Sequence, residues 1–206
     1  SMEQSVSTPF VLWLTGLPKS GKTEIASQLV NELQQFGPVE HIDSSKIRKT
    51  PIGATLGFSR DDRENNVRRH ALAAKLLNQN GVSAVVSAVS PYIDVRLAIR
   101  NEFSHFAEIH VDTPVEACIK RDKSGTYAKA IAGEIPNYTG ISAPYEAPKS
   151  PEVKVNLSTD TVDDCIRLIL QKLHDMGWVS HTSQDQAKSE TDAIASSLRL
   201  LGYSEE

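Results

Sequence analysis

Cysteine is scarce in this 206-residue chain, which holds only Cys118 and Cys165. Two thiols cannot staple a secreted disulfide scaffold, nor supply a multi-cysteine zinc site. The six histidines are scattered, with no HExxH spacing, so the common zinc-hydrolase arrangement is missing as well. Aromatic residues make up 6% of the chain and the formal charge is -4. A nucleic-acid grip needs basic and aromatic residues gathered on one face, so no nucleic-acid partner is expected. The longest apolar runs are strand-sized, far below the roughly 20 residues that span a bilayer, and no membrane partner is expected either. Ser1-Met2-Glu3-Gln4 is polar and acidic, unlike the apolar core of a secretion signal, and Ser1 ahead of Met2 reads as the scar of a removed tag. These absences point to the cytoplasm. The 39% hydrophobic and 23% charged residues that are present suit a folded domain with one sizeable core.

Strand and helix patterns alternate along the chain. FVLWLT (10–15) is a short continuous apolar run, as a strand buried on both faces requires. Ile25, Ala26, Leu29, Val30 and Leu33 then keep helical spacing from Lys22 to Phe36, and Gly37-Pro38 ends that helix. Val39 to Ile42 make a second strand ending at Asp43. A long helix over 61–80 turns Val67, Ala71, Ala74 and Leu77 inward. VSAVVSAV (82–89) is a third strand, followed by a helix over 93–103 and a strand over 107–112. Pro114 suits a first helical position in a helix reaching Arg121. A strand over 152–157 feeds a last helix, 161–174. Five strands linked by helices predict an α/β fold: three layers around a mostly parallel five-stranded sheet. The pattern breaks between Asp122 and Pro151, a stretch too long for an ordinary loop and placed where binding segments occur. Residues 1–178 are expected to form one domain with a lid at about 122–148. Residues 179–206 read as a polar tail, loose over 180–192, with Ile194, Leu198 and Leu201 spaced for one short helix lying on the body.

Gly16-Leu17-Pro18-Lys19-Ser20-Gly21-Lys22-Thr23 matches GxxxxGK[ST], with a strand entering and a helix leaving, as the phosphate loop requires. Glycines let successive amides point inward and the helix N-terminus adds partial positive charge, so the loop favours phosphate. Lys22 should reach the β- and γ-phosphates of ATP and Thr23 should ligate Mg²⁺. No Asn/Thr-Lys-x-Asp guanine signature is present, and the chain is short for a motor or helicase, so a small-molecule kinase fits best. Asp43, at a strand end on the same sheet edge, suits a Mg²⁺ ligand or a group that orients an acceptor hydroxyl, in preference to the alternative of a helix cap. In LGFSRDDRENNVRR (56–69), Ser59 is a cap candidate. Arg63, Asn66 and Arg69 share a helix face able to bind an anion or simply to meet solvent. Trp13 reads as core, His70 as a surface histidine in preference to one facing the pocket, and both cysteines as buried helix residues. The segment around Trp178 either covers an apolar patch or joins a dimer contact.

Over about residues 10–175 the chain resembles the adenylylsulfate kinase (APS kinase) family. The likeness rests on LTGLPKSGKT, HIDSSKIR, LGFSRDDRENNVRR, VSPY, VDTPVEACIKRD, GTYAKA and GEIPNYTGISAPYEAP. It implies a P-loop kinase fold, ATP and Mg²⁺ as cofactors, and a homodimer. The implied reaction moves the γ-phosphate of ATP to the 3′-hydroxyl of adenosine 5′-phosphosulfate (adenylylsulfate), giving PAPS and ADP. The resemblance further implies that Phe58 and Tyr138 sandwich the substrate adenine, and that Arg48 and Arg63 meet the phosphosulfate beside Asn66. Ser90 should stand near the transferred phosphoryl, and Ile141 should offer a backbone contact. Lys22, Asp43 and Ser90 are thereby the expected catalytic residues, with Thr23 and Asp43 on the metal.

Several positions depart from the family pattern. The acidic Asp-Gly-Asp reads Asp43-Ser44-Ser45; a usual Glu is Asn65, and a usual Arg is Ile93. The lid's Pro-Lys-Gly-Leu-Tyr is Lys123-Ser124-Gly125-Thr126-Tyr127, a further Arg is Ile131, and one extra residue separates Arg48 from Phe58. Each change removes or moves charge near the expected phosphates. Two other readings therefore stand beside the first: a kinase of this fold with another hydroxyl acceptor, and a low-turnover nucleotide-binding regulator.

Overall fold

The computed structural model describes residues 8–180 and 183–203. Five parallel strands form one sheet: β1 (Val11–Thr15), β2 (Val39–Asp43), β3 (Ser83–Ser87), β4 (Phe106–Val111) and β5 (Val153–Val155), in the order β2-β3-β1-β4-β5. β1 is central and wholly buried. Its side chains alternate between faces, as any strand's must. Leu12 and Leu14 enter a core built with Ile25, Leu29, Ile169 and Leu173 of helices α1 (Lys22–Leu33) and α7 (Val162–Asp175). Val11 and Trp13 enter the opposite core, with Val67, Ala71, Val95 and Ile99. This explains the continuous apolar run of β1: a strand covered on both faces has no solvent side on which to place polar residues. The three-layer α/β architecture expected from the sequence is the one observed.

The second face is covered by α3 (Arg60–Gln79) and α4 (Ile93–Arg100). Ser59 caps α3, its hydroxyl accepting the Asp62 N–H at 3.1 Å, with Asp61 and Asp62 in the first turn as read from the sequence. α7 (Val162–Asp175) opens on a capping box between Thr161 and Asp164. Trp178 stacks on Phe10 at 5.7 Å, so it covers an apolar patch, one of the two roles read from the sequence.

Four details differ from expectation. Pro114 is the cap residue before α5 (Val115–Arg121), with ψ 150°, and not the first helical residue. A five-residue helix, α2 (Ser44–Arg48), follows β2. A six-residue helix, α6 (Thr126–Ile131), lies inside the stretch read as pattern-free, and its Tyr127 and Ala130 join Cys118 and Tyr138 in a small apolar cluster of their own. The tail helix α8 spans Ser183–Leu200, well into the region read as loose. Ile194, Leu198 and Leu201 are 60%, 44% and 73% exposed, so that apolar stripe does not lie on the body.

Candidate active site

The carboxyl ends of β1, β2 and β3 lead into the phosphate loop, Asp43 and the Ser87–Pro91 turn, and all three line one cavity of about 510 Å³. A crevice beyond the strand ends is the ordinary ligand position in an open parallel sheet. The phosphate loop holds Lys19 and Gly21 at φ 61° and 107°. A Cβ on Gly16 would approach the Val111 carbonyl oxygen to 2.5 Å, so close packing of the loop on β4 requires glycine there. Lys22 Nζ donates to the Gly16 and Leu17 carbonyls at 3.0 and 2.7 Å. Burial lowers the Lys22 ammonium from 10.5 to about 8, with the nearby Cys118 and Asp43 pulling weakly the other way.

Asp43 is a helix cap and also lines the cavity. It caps α2, its Oδ1 accepting the Ser45 N–H at 3.0 Å, and the same oxygen accepts the Ser45 hydroxyl at 2.8 Å and the Thr23 hydroxyl at 3.4 Å. Its Oδ2 is buried with no hydrogen-bond partner. An unsatisfied carboxylate oxygen beside a threonine hydroxyl is a donor set that fits Mg²⁺, which takes one or two carboxylates and completes its shell with water and substrate phosphates. Among the described residues no group of three or more His, Cys, Asp and Glu could hold a metal by protein ligands alone.

The far side of the cavity is cationic and aromatic. Arg48 lies over the Phe58 ring at 4.7 Å and donates to the Leu56 and Gly57 carbonyls, both at 3.4 Å. Arg63 lies 5.5 Å from the same ring, donates from Nε to Phe58 O at 3.2 Å, and reaches Asn137 O through its other arm. Burial depresses both guanidinium pKa values, yet arginine stays charged in proteins. Asn66 donates to Ser44 Oγ at 3.1 Å. Phe58 and Tyr138 both line the cavity, and Tyr138 is fixed edge-on against Tyr127 at 5.1 Å.

A phosphate loop, a carboxylate and a paired-arginine aromatic wall around one cavity agree with what the comparisons return. Residues 8–156 match the family model described as adenylylsulphate kinase. The chain belongs to the adenylylsulphate kinase family. A Pseudomonas aeruginosa relative named "Probable adenylyl-sulfate kinase" is 45% identical over 82% of this chain and 78% of its own. The adenylyl-sulfate kinase of Rippkaea orientalis is 40% identical over 82% of this chain and 93% of its own. Among solved structures, the Mycobacterium tuberculosis APS kinase CysC in complex with AMPPNP and APS superposes with a TM-score of 0.75 at 34% identity, covering 81% and 98% of the two chains. An ATP-dependent kinase with a P-loop fold is the coarse assignment these matches give.

Within this APS kinase-family chain, the residues expected at the site fall into two groups. Pro18, Lys19, Gly21, Lys22, Thr23, Asp43, Arg48, Phe58, Arg63, Asn66, Ser90 and Tyr138 line the cavity, whereas Gly16, Leu17, Ser20 and Ile141 do not. Leu17 and Ile141 pack on the apolar cluster around Tyr138, and the Ile141 N–H donates to Tyr138 O at 3.1 Å. Ser90 sits at φ 42°; its hydroxyl accepts from Trp13 Nε1 and donates to Ala88 O, both at 3.0 Å. That hydroxyl is engaged on both sides and holds the turn in its unusual conformation. Trp13 is core, as read. His70 is not on the surface. It is 3% exposed, its Nε2 has no partner, and burial, reinforced by Arg48, lowers it to about 4. The spacing Val67-His70-Ala71-Ala74 places it on the inward stripe of α3, a signal present in the sequence.

The sequence reading missed the ties that hold the 122–148 segment. Tyr127 Oη donates to Pro18 O at 2.7 Å and Arg121 Nε to Lys19 O at 3.2 Å, fastening its first half to the phosphate loop. Its return is fastened to the Ser90 turn. Glu146 N donates to Pro91 O at 2.8 Å, Tyr145 and Thr15 hydroxyls meet at 2.9 Å, and Arg96 donates to both Ser90 O and Glu146 O. Thr126 and Thr139 also line the cavity, and Thr139 Oγ1 is buried without a partner.

Proposed function

We propose that this chain transfers the γ-phosphate of ATP to the 3′-hydroxyl of adenosine 5′-phosphosulfate, giving PAPS and ADP for sulfate activation. The observation that carries the reading is the two-ended cavity: Lys22, Thr23 and Asp43 at one end, and Arg48, Arg63, Phe58 and Tyr138 at the other. The first end suits a nucleoside triphosphate, and the second suits a compact dianion attached to a flat base. Lys22 releases its loop carbonyls to meet the β- and γ-phosphates, and the loop amides hold the remaining phosphate oxygens. Thr23 and Asp43 would hold Mg²⁺, which would supply positive charge to offset that of the nucleotide phosphates. Arg63 and Arg48 orient the phosphosulfate, Asn66 supports them, and Phe58 and Tyr138 grip the adenine. Ser90 shapes the turn beside the transferred phosphoryl, and Ile141 offers its backbone next to Tyr138. The segment at about 122–148 acts as a lid that excludes water, a rival acceptor. Phosphoryl transfer depends on positioning and charge more than on a strong base, so one carboxylate, Asp43, serves where the family pattern has two. The family likeness supports a cytoplasmic homodimer with a main domain over 1–178 and a separate tail. No helix of the described residues is long and apolar enough to cross a membrane.

The test is an ATP- and Mg²⁺-dependent assay with adenylylsulfate that follows PAPS and ADP together, with Lys22→Ala as the blank. PAPS formed by the native chain and lost in the blank supports the reading. ADP without PAPS would replace this acceptor with another, and neither product, with both ligands bound, would favour the regulatory alternative.

A further inference from the structure

Asp43 is the one carboxylate among the cavity residues on β2 and α2, and its position is not left to its own rotamer. Three donors converge on Oδ1: the Ser45 hydroxyl at 2.8 Å, the Ser45 N–H at 3.0 Å and the Thr23 hydroxyl at 3.4 Å. Oδ2, buried in a residue that is only 5% exposed, has none. The hydroxyl contact is the shortest of the three and is a charge-assisted bond, the class that fixes a carboxylate most firmly. It is also chemically separable from the cap. The Ser45 N–H alone satisfies the capping requirement of α2, so the hydroxyl is additional to what the helix needs.

The arrangement has a second consequence. Thr23 spends its proton on Asp43 Oδ1, which turns the lone pairs of Thr23 Oγ1 away from that carboxylate. A hydroxyl that ligates a cation must do this, because its proton has to point elsewhere. Ser45 therefore acts on two expected cation ligands at once: directly on Asp43, and on Thr23 through the shared oxygen.

We propose that Ser45 is a positioning residue for the cation site, its hydroxyl clamping Asp43 Oδ1 so that Oδ2 and the Thr23 oxygen are left for the divalent cation that accompanies the nucleotide. On this view the serine does not replace a second carboxylate as a ligand; it makes a single carboxylate sufficient. The proposal rests on the kinase reading of the cavity, but on no particular acceptor.

The experiment measures binding of Mn²⁺, as a paramagnetic probe, to the full chain with AMPPNP and no acceptor, by electron paramagnetic resonance. Native protein, Ser45→Ala and Ser45→Thr are compared, with thermal unfolding of each in parallel. Partners that orient metal ligands are worth about 10–100-fold in affinity. Ser45→Ala should weaken Mn²⁺ about tenfold, and Ser45→Thr, which keeps the hydroxyl, should bind within about twofold of native on the same scale. Unfolding temperatures should stay close together, since the backbone cap survives. Equal Mn²⁺ affinity for Ser45→Ala and native protein overturns the proposal. So does equal weakening by alanine and threonine, which would make the effect one of shape. Because no acceptor is present, loss of the proposal leaves the PAPS assay untouched, and failure of that assay leaves this measurement intact.

Discussion

Replacing Arg96 by methionine should be among the most damaging single changes outside the cavity. Arg96 is 2% exposed at its side chain. Its Nε pairs with Glu108 Oε2 at 3.2 Å, Nη1 donates to Ser90 O at 2.6 Å, and Nη2 donates to Glu146 O. Methionine fills much of the same volume but leaves Glu108 and two carbonyls without this donor. Removing one partner of a buried ion pair costs about 3–5 kcal/mol, because the other charge stays buried. Here Arg100 remains 3.8 Å from Glu108 Oε1, which favours the lower end, about 3 kcal/mol. At about 2–4 °C per kcal/mol for a chain of this size, Tm should fall by about 6–12 °C. The loss should also depend on pH. Burial already raises the Glu108 carboxyl above its ordinary value, and Arg96 is the largest charge opposing that rise; without it the folded pKa climbs further. A carboxyl whose folded pKa exceeds its unfolded one contributes most when protonated, and that contribution disappears as pH rises through the folded value. The penalty of the variant should therefore be smaller at pH 5 than at pH 8. Thermal unfolding followed by circular dichroism at both pH values is the assay, with the double variant Arg96→Met/Glu108→Leu as partner. The double variant should recover part of the loss, since the stranded charge is gone. A single-variant shift below about 2 °C, or simple additivity in the double variant, would refute the argument.

Three further outcomes are expected. Lys22 is held near 8 by burial, and phosphates bind its charged form, so nucleotide Kd should rise about fivefold between pH 8 and 9 for this one proton; a flat profile from calorimetric titration would show that burial does not set this charge. Between about 8 and the unfolded value of 10.5 the unfolded chain binds the extra proton, so this group's contribution to stability should increase with pH there. Tyr127→Phe removes the hydroxyl that reaches Pro18 O but keeps the ring in its apolar cluster. It should cost about 1 kcal/mol in urea unfolding, against about 3–5 kcal/mol for Tyr127→Ala; no loss in Tyr127→Phe would mean that the tether contributes nothing.

The sheet and its covering helices were legible because each is long enough to show a period. β1 reads as one apolar run, and α3 shows its inward stripe over five turns. α2 and α6 escaped because five and six residues do not complete two turns, so no period can form in them. Buried charge is illegible for a different reason. Arg96, Glu108 and Glu152 look like surface residues in a string of letters, and only the packing of α4 on β4 and the return at Glu152 brings them together. His70 was misplaced although its spacing put it on the core stripe, because residue type was given more weight than position.

The site itself was legible in its residue types and not in its bonding. From sequence Asp43 reads as a cap or as a cation ligand. In the fold Oδ1 serves the cap and Oδ2 is left without a partner. Ser90 is tied down in the same way: its hydroxyl accepts from Trp13 and donates to Ala88 O, neither of which is named by the motif. A motif specifies which groups arrive at the strand ends; which of their atoms are free to act depends on neighbours that the motif does not contain. For this chain the decisive neighbour is Ser45, a residue that from sequence alone counts as a missing carboxylate and in the structure is a donor to the carboxylate that remains.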